Sequence, residues 1–286
     1  MPKATELYRN RIALVFDYDS TLAPSTFHTL LSHIGLDPDK FEDEQVQPRV
    51  DAGWDETLAR YHALITHSQQ SDNPVTEQMM TEVGQQMPIF DNVQAMFGKV
   101  HDWAHEVLPD VEVEFYMLTA GMAEIPAATP LAEHFDYIWA GACSFDENGE
   151  IDFVKRLITH ADKTRYLNQL AKGLHKEGGM QPENIHRDID LESYYIPFDQ
   201  MIYVGDGGSD MPAFSLMESE GGLAIGVVVA DSIEEWRGYD DTHADRRVQN
   251  LAIADYSDGS ELMQSLQHAV LSIAQKIALR QLGEDE

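Results

Sequence analysis

The chain has 286 residues, of which 43% are hydrophobic, enough for one large core or a core with a smaller companion and too many for a disordered chain. Its 19 Lys and Arg stand against 50 Asp and Glu, a formal net charge of −31, which excludes nucleic acid and anionic membrane as expected partners and obliges any anion site to build its own positive potential. The single cysteine, Cys143, excludes an internal disulfide and a cysteine-rich zinc site; no segment is apolar for the length of a membrane span, so the expected location is the cytoplasm.

The first predicted element is IALVF at 12–16, a strand buried on both faces. It stops at Asp17-Tyr18-Asp19-Ser20-Thr21. From Ser25 to Pro109 come FHTLLSHIGL, WDETLARYHALITHS, VTEQMMTEVGQQM and DNVQAMFGKVHDWAHEVL, with apolar residues at three- and four-residue steps and no alternating run. They predict an all-helical insertion standing on the end of the first strand. A second buried strand, VEFYML at 113–118, ends on Thr119-Ala120-Gly121. YIWA at 137–140 is a weaker strand. Between Ala171 and Asp199 a Gly-rich break precedes a helix starting at Pro182. MIYV at 201–204 is a third buried strand and ends on Gly205-Asp206-Gly207-Gly208-Ser209-Asp210. LAIGVVV at 223–229 is a fourth, DDTHADRR at 240–247 an exposed loop, and NLAIADY at 250–256 a last weak strand. The final helix, DGSELMQSLQHAVLSIAQKIALR, opens on an Asp or Ser cap and carries an apolar stripe. Strands separated by helix-length segments predict an α/β fold with a parallel sheet covered by helices.

In such a sheet, ligands bind beyond the carboxyl ends of the strands. Three strand ends then bring together Asp17, Asp19, Asp206 and Asp210 with the Thr119 hydroxyl. Two carboxylates about 4 Å apart repel by roughly 4 kcal/mol at an effective dielectric of about 20, so four of them require a cation. Oxygen ligands without histidine point to a hard ion, Mg²⁺ before Ca²⁺.

These residues resemble the haloacid dehalogenase superfamily of phosphohydrolases. The first turn matches its D-x-D-x-T motif as Asp17, Asp19 and Thr21; Thr119 stands at its second motif; GDGGSD matches G-D-x-x-x-D as Asp206 and Asp210. The lysine of the third motif is Lys163 in HADKTRYLNQL, with Lys155 the runner-up. DYDSTL, LTAGM, DENGEI and MIYVGDGGSDMPAF resemble the phosphoserine-phosphatase-like branch. The resemblance implies a Rossmann-like core with helices on both faces, formed by residues 1–24 and 110–286, and a small helical cap formed by 25–109. It implies a Mg²⁺-dependent phosphatase acting on a small phosphorylated metabolite. Asp17 would be the nucleophile and Asp19 the proton shuttle. Mg²⁺ would lie on Asp17, the Asp19 carbonyl and Asp206, with Asp210 close by. Thr119 and Lys163, with the amides of Tyr18, Asp19 and Ala120, would hold the phosphoryl oxygens. Phosphotransfer to another acceptor and a non-catalytic binding protein are the alternatives on the same fold.

Three departures separate the chain from phosphoserine phosphatases proper. Thr26 stands nine residues after Asp17, where those enzymes carry an acid that meets the substrate ammonium. Ser209 replaces a common Asn, and Pro212 a longer apolar residue. Elsewhere His101 and His105 share a helix face without a third ligand, and His62 and His67 do not share one. The methionines at 79, 80, 87 and 96 read as packing, as do Tyr194 and Tyr195, and Cys143 reads as a packed thiol. Arg49 and Arg60 read as surface residues of the cap.

Overall fold

The side chains of the first strand alternate between two separate cores: Ile12, Leu14 and Phe16 enter one, Ala13 and Val15 the other. Only a strand with helices against both faces needs such a run. The computed structural model describes residues 8–177, 189–229 and 248–284. In it this strand, β1 (Arg11–Phe16), is the centre of a seven-stranded sheet with β2 (Glu112–Met122), β3 (Tyr137–Phe145), β4 (Ile151–Arg156), β5 (Met201–Gly205), β6 (Leu223–Val228) and β7 (Asn250–Ile253). The order is β4-β3-β2-β1-β5-β6-β7. After β1 the chain builds outward through β2 and β3, then returns to build β5, β6 and β7 on the other side. The switch point, where a ligand crevice opens, lies between β1 and β5.

Every pairing is parallel except β3 with β4. The parallel sheet expected from the sequence thus carries one antiparallel edge strand. This strand follows β3 through a tight turn in which the Asp146 carboxylate accepts from the amides of Asn148 and Glu150 and Gly149 takes φ 78°. Only Ile151 of β4 is fully buried, so the strand carries no apolar run. Two boundaries also move: β2 continues through Thr119 to Met122, and β7 ends at Ile253.

The insertion is helical throughout: α1 (Thr26–His33), α2 (Pro38–Phe41), a π-helical turn (Glu42–Val46), α3 (Gln47–Asp51), α4 (Glu56–Gln70), α5 (Glu77–Gln85) and α6 (Val93–Val107). Ser25, Asp37, Asp55 and Thr76 cap four of these by accepting an amide three residues on. The insertion divides by what its helices cover. α6 buries Val93, Met96, Phe97, Val100 and Ala104 and lies on β2 beside the last helix, α9 (Glu261–Glu284). α1 to α5 pack on one another, with α1 also on β2, α4 on β4 and α5 on the short helix Pro126–Ala128. They are tied to the β3–β4 turn by Glu77 N to Gly149 O and Ile151 N to Val75 O.

The opposite face of the sheet is covered by α7 (Asp162–Ala171) and α8 (Met211–Glu220), which bury Tyr166, Leu167, Leu170, Phe214 and Met217. Ser260 caps α9 by accepting the Met263 amide. The helix expected from Pro182 and the loop expected at 240–247 lie outside the described residues. No helix among the described residues is long and apolar enough to cross a membrane.

Candidate active site

Asp17 is the first residue after β1, and its amide donates to Val204 O at 2.8 Å, continuing the ladder with β5 by one step. That bond sets Asp17 beside the turn after β5. The chain then folds tightly over itself. The Tyr18 carbonyl accepts from the amides of Thr21, Leu22 and Ala23, and Ser20 takes a left-handed φ of 59°. Left-handed backbone is uncommon outside glycine and marks a turn held by its surroundings. Thr21 is fully buried, and its carbonyl accepts the Tyr256 hydroxyl at 2.9 Å.

The second carboxylate group comes from the turn between β5 and α8. Asp210, the residue before α8, is fully buried. Its Oδ1 accepts from Lys163 Nζ and from the Tyr203 hydroxyl, both at 2.6 Å, and its Oδ2 from the Gly207 amide at 3.3 Å. Gly205 is required by this packing: a Cβ there would stand 2.1 Å from Asp210 Oδ2. Lys163 lies in the first turn of α7, which is fixed by the Thr159 amide and hydroxyl donating to Asp162 Oδ2. It is 0% exposed and also reaches Asp17 Oδ1 and Ser209 Oγ, each at 3.1 Å. Lys155, the runner-up for this position, is exposed on the edge strand β4. Asp17, Asp206 and Asp210 each bring a carboxylate oxygen within 4.8 Å of the others.

The third contribution comes from β2. Thr119 is buried, and its Oγ1 accepts the Gly121 amide at 3.1 Å, which leaves the hydroxyl proton free to point elsewhere. Ala120 follows it; its carbonyl faces the Tyr61 hydroxyl of α4 at 3.5 Å. Asp19 does not join the three-carboxylate cluster with its side chain. Its Oδ1 accepts the Thr26 amide at 2.7 Å and its Oδ2 the Thr26 hydroxyl at 3.1 Å. Thr26, Tyr203 and Ser209 are site residues that the sequence did not assign. Thr26 was visible only as a departure from a pattern, and Tyr203 only as a strand residue.

The electrostatics follow from burial. Burial pushes the Asp17 carboxyl up to about 7; Lys163 opposes the rise and Asp210 and Asp19 add to it. Burial, then Asp210 and Asp17, push Asp206 up to about 8. Burial raises Asp19 too, against the two hydrogen bonds from Thr26. Burial works against the charge on Lys163, but Asp17 and Asp210 outweigh it, and the ammonium is held charged well above its usual range.

Other residues singled out in the sequence lie apart. The rings of His101 and His105 lie 5.8 Å apart and tilted, and His105 Nε2 meets Val111 O, with no third ligand among the described residues. Arg49 donates to His62 Nδ1, while Arg60 is held by Glu42 at 2.7 Å and Glu56 at 2.8 Å. Met80, Met87 and Met96 are core residues, Met79 packs against that core, and Tyr194 and Tyr195 pack against the second core. Cys143 is buried in β3, where burial raises its thiol.

No protein-family model matches the chain. An uncharacterized protein of Borreliella burgdorferi is 21% identical over 282 residues, covering 88% of this chain and 94% of that one. Among solved structures, a substrate-bound phosphoserine phosphatase complex superposes with a TM-score of 0.56 at 11% identity, over 90% of this chain and 98% of that chain. A probable phosphoserine phosphatase from Vibrio cholerae gives 0.55 at 14%, over 98% and 68%. A hydrolase of the haloacid dehalogenase family from Salmonella enterica serovar Typhi gives 0.54 at 14%, over 80% and 66%. The chain therefore shares the fold of these solved structures.

Proposed function

We propose that this protein is a Mg²⁺-dependent phosphatase that hydrolyses a small phosphomonoester through a phosphoaspartate on Asp17. The observation that carries the reading is the convergence at the β1–β5 switch point of three carboxylates and one buried ammonium. A surface loop tolerates no such cluster, because each buried charge needs compensation. The donor set fits a hard divalent ion. Asp17 Oδ1 is buried without a hydrogen bond, since Lys163 stands at 3.1 Å but off the bonding direction. Oxygens about 2.1 Å from an ion lie at most about 4.2 Å apart, and the three carboxylate oxygens here lie within 4.8 Å of one another. Asp17, Asp206 and the Asp19 carbonyl would hold Mg²⁺, with Asp210 fixed behind them by Lys163 and Tyr203. When bound, the ion supplies charge neutralisation for the phosphoryl oxygens.

The chain's own groups supply the rest. The Asp17 carboxylate attacks phosphorus as the bond to the leaving oxygen breaks, and Asp19 gives that oxygen its proton. A water then loses a proton to Asp19 while its oxygen bonds to phosphorus and the bond from Asp17 breaks. Lys163 and the free proton of the Thr119 hydroxyl bind the phosphoryl oxygens, together with the amides of Tyr18, Asp19 and Ala120.

Hydrolysis of p-nitrophenyl phosphate that requires Mg²⁺ and falls by about a thousandfold or more in Asp17→Asn is the expected result. Undiminished activity in Asp17→Asn overturns the reading. Competing alcohols in the same assay distinguish transfer to water from transfer to another acceptor.

A further inference from the structure

Thr26 is 2% exposed, follows the cap Ser25 as the first residue of α1, and directs both of its donors at one side chain. Its amide meets Asp19 Oδ1 at 2.7 Å and its hydroxyl meets Oδ2 at 3.1 Å. The two donors are not chemically equivalent. An N–H can only donate, so Oδ1 accepts in every protonation state and remains the unprotonated oxygen. A hydroxyl donates or accepts as its rotor turns, so Oδ2 can sit beside it with or without a proton.

Oδ2 is also the oxygen that faces the Thr119 hydroxyl across Gly121. A Cβ placed on Gly121 would lie 3.0 Å from Thr26 Oγ1, 3.1 Å from Asp19 Oδ2 and 3.3 Å from Thr119 Oγ1. Oxygens from α1, from the turn after β1 and from β2 thus ring a gap that an unbranched backbone leaves open. A threonine carries no charge for a substrate ammonium, and here its polar groups are already engaged.

We propose that Thr26 is the positioning residue for Asp19, committing Oδ1 to the N-terminus of α1 and leaving Oδ2 as the atom that gives and retakes the proton. The inference rests on the reading of Asp17 as nucleophile and Asp19 as acid and base. In the first half, the bond between phosphorus and the leaving oxygen breaks, the leaving oxygen takes the proton from Oδ2, and the Thr26 hydroxyl turns to donate to the resulting anion. In the second half, water gives a proton to Oδ2 as its oxygen bonds to phosphorus and the bond from Asp17 breaks. The hydroxyl then turns its own proton away from Oδ2, whose proton is left for the next leaving oxygen. Because Thr26 belongs to α1, whose Phe27, Leu30 and Leu31 are buried in the larger core, the seating of that helix sets the aim of the acid.

The test compares two esters of similar shape, p-nitrophenyl phosphate and phenyl phosphate, of which phenolate is the poorer leaving group and needs the acid more. Thr26→Val keeps the amide and removes the hydroxyl. The expected loss in kcat/KM is about tenfold greater on phenyl phosphate than on p-nitrophenyl phosphate. Thr26→Ser, which restores the hydroxyl, brings the two losses back together. Thr26→Ala carries the same comparison should valine fail to pack. Equal losses on the two esters, with the wild type active on both, overturn the inference while leaving the phosphatase reading intact. A wild type inactive on both overturns the reading and the inference with it.

Discussion

Stripped of divalent cations, the protein should lose about 3 kcal/mol of stability between about pH 6.5 and about pH 8.5, and Mg²⁺ should return it. Asp17 and Asp206 are pushed up to about 7 and about 8 from an ordinary 3.8, chiefly by burial. A carboxyl raised by folding stabilises the fold fully at pH values below its unfolded pKa, and that contribution is lost as the pH rises through the folded one. By about pH 6.5 the unfolded carboxyls are already ionised, so the remaining change belongs to the folded state. Over the window Asp17 has about 1 kcal/mol left to lose and Asp206 about 2 kcal/mol. His175, pulled down to about 4 by burial and Lys176, acts with the opposite sign, but with the unfolded imidazole half titrated at pH 6.5 it returns only about 0.4 kcal/mol above that pH. The assay is urea unfolding across the window, once with a chelator and once with saturating Mg²⁺, which binds only the folded site and so stabilises it. Asp206→Asn should make the fall in chelator shallower. Stability that is flat or rising with pH in chelator would refute the assignment of these two groups as carboxyls raised by burial.

Lys163→Met removes the ammonium from between Asp17 and Asp210. It should destabilise the protein by about 3–5 kcal/mol at neutral pH, and by less as acid protonates the stranded carboxylates; unfolding curves at two pH values read both. Gly121→Ala places a methyl 3.0–3.3 Å from three site oxygens. It should lower kcat/KM for p-nitrophenyl phosphate by about tenfold, because small displacements of reacting groups weigh heavily on rate. The melting temperature should change by about 2 °C or less, as calorimetry would show.

The carboxylates were legible because each follows a strand whose apolar run is continuous, and a buried strand can end on paired acids only where they have a use. Lys163 was legible only by resemblance: a lysine in a first helical turn ordinarily faces water, and what buries this one is the packing of α7 against the second core. β4 was not legible, since an edge strand with one fully buried residue has no pattern to read. Periodicity also could not place the helices of the insertion: it shows that a helix buries a face, and not which element covers that face. The Thr26–Asp19 pair lay deeper still. It closes across a turn that depends on Ser20 adopting a left-handed backbone, a conformation that serine does not announce.

The sign of the charge at the site has a chemical consequence. Three carboxylates share one ammonium, so the cluster is anionic like the surface around it. That charge can be relieved in two ways, by protons or by a cation. Burial, with Asp210 and Asp19, raises Asp17 to about 7, so a proton competes for it, and a protonated Asp17 lacks the carboxylate charge with which to attack phosphorus. Relief by protons and the proposed reaction therefore exclude each other on the same atom. Positive charge beyond Lys163 removes the conflict, because it ionises Asp17 at neutral pH and lets a phosphate dianion approach a chain of net charge −31. On this argument the acid limb of the pH–rate profile should move to lower pH as Mg²⁺ is raised toward saturation. A limb fixed at about 7 whatever the Mg²⁺ concentration would mean that the ion does not stand beside Asp17.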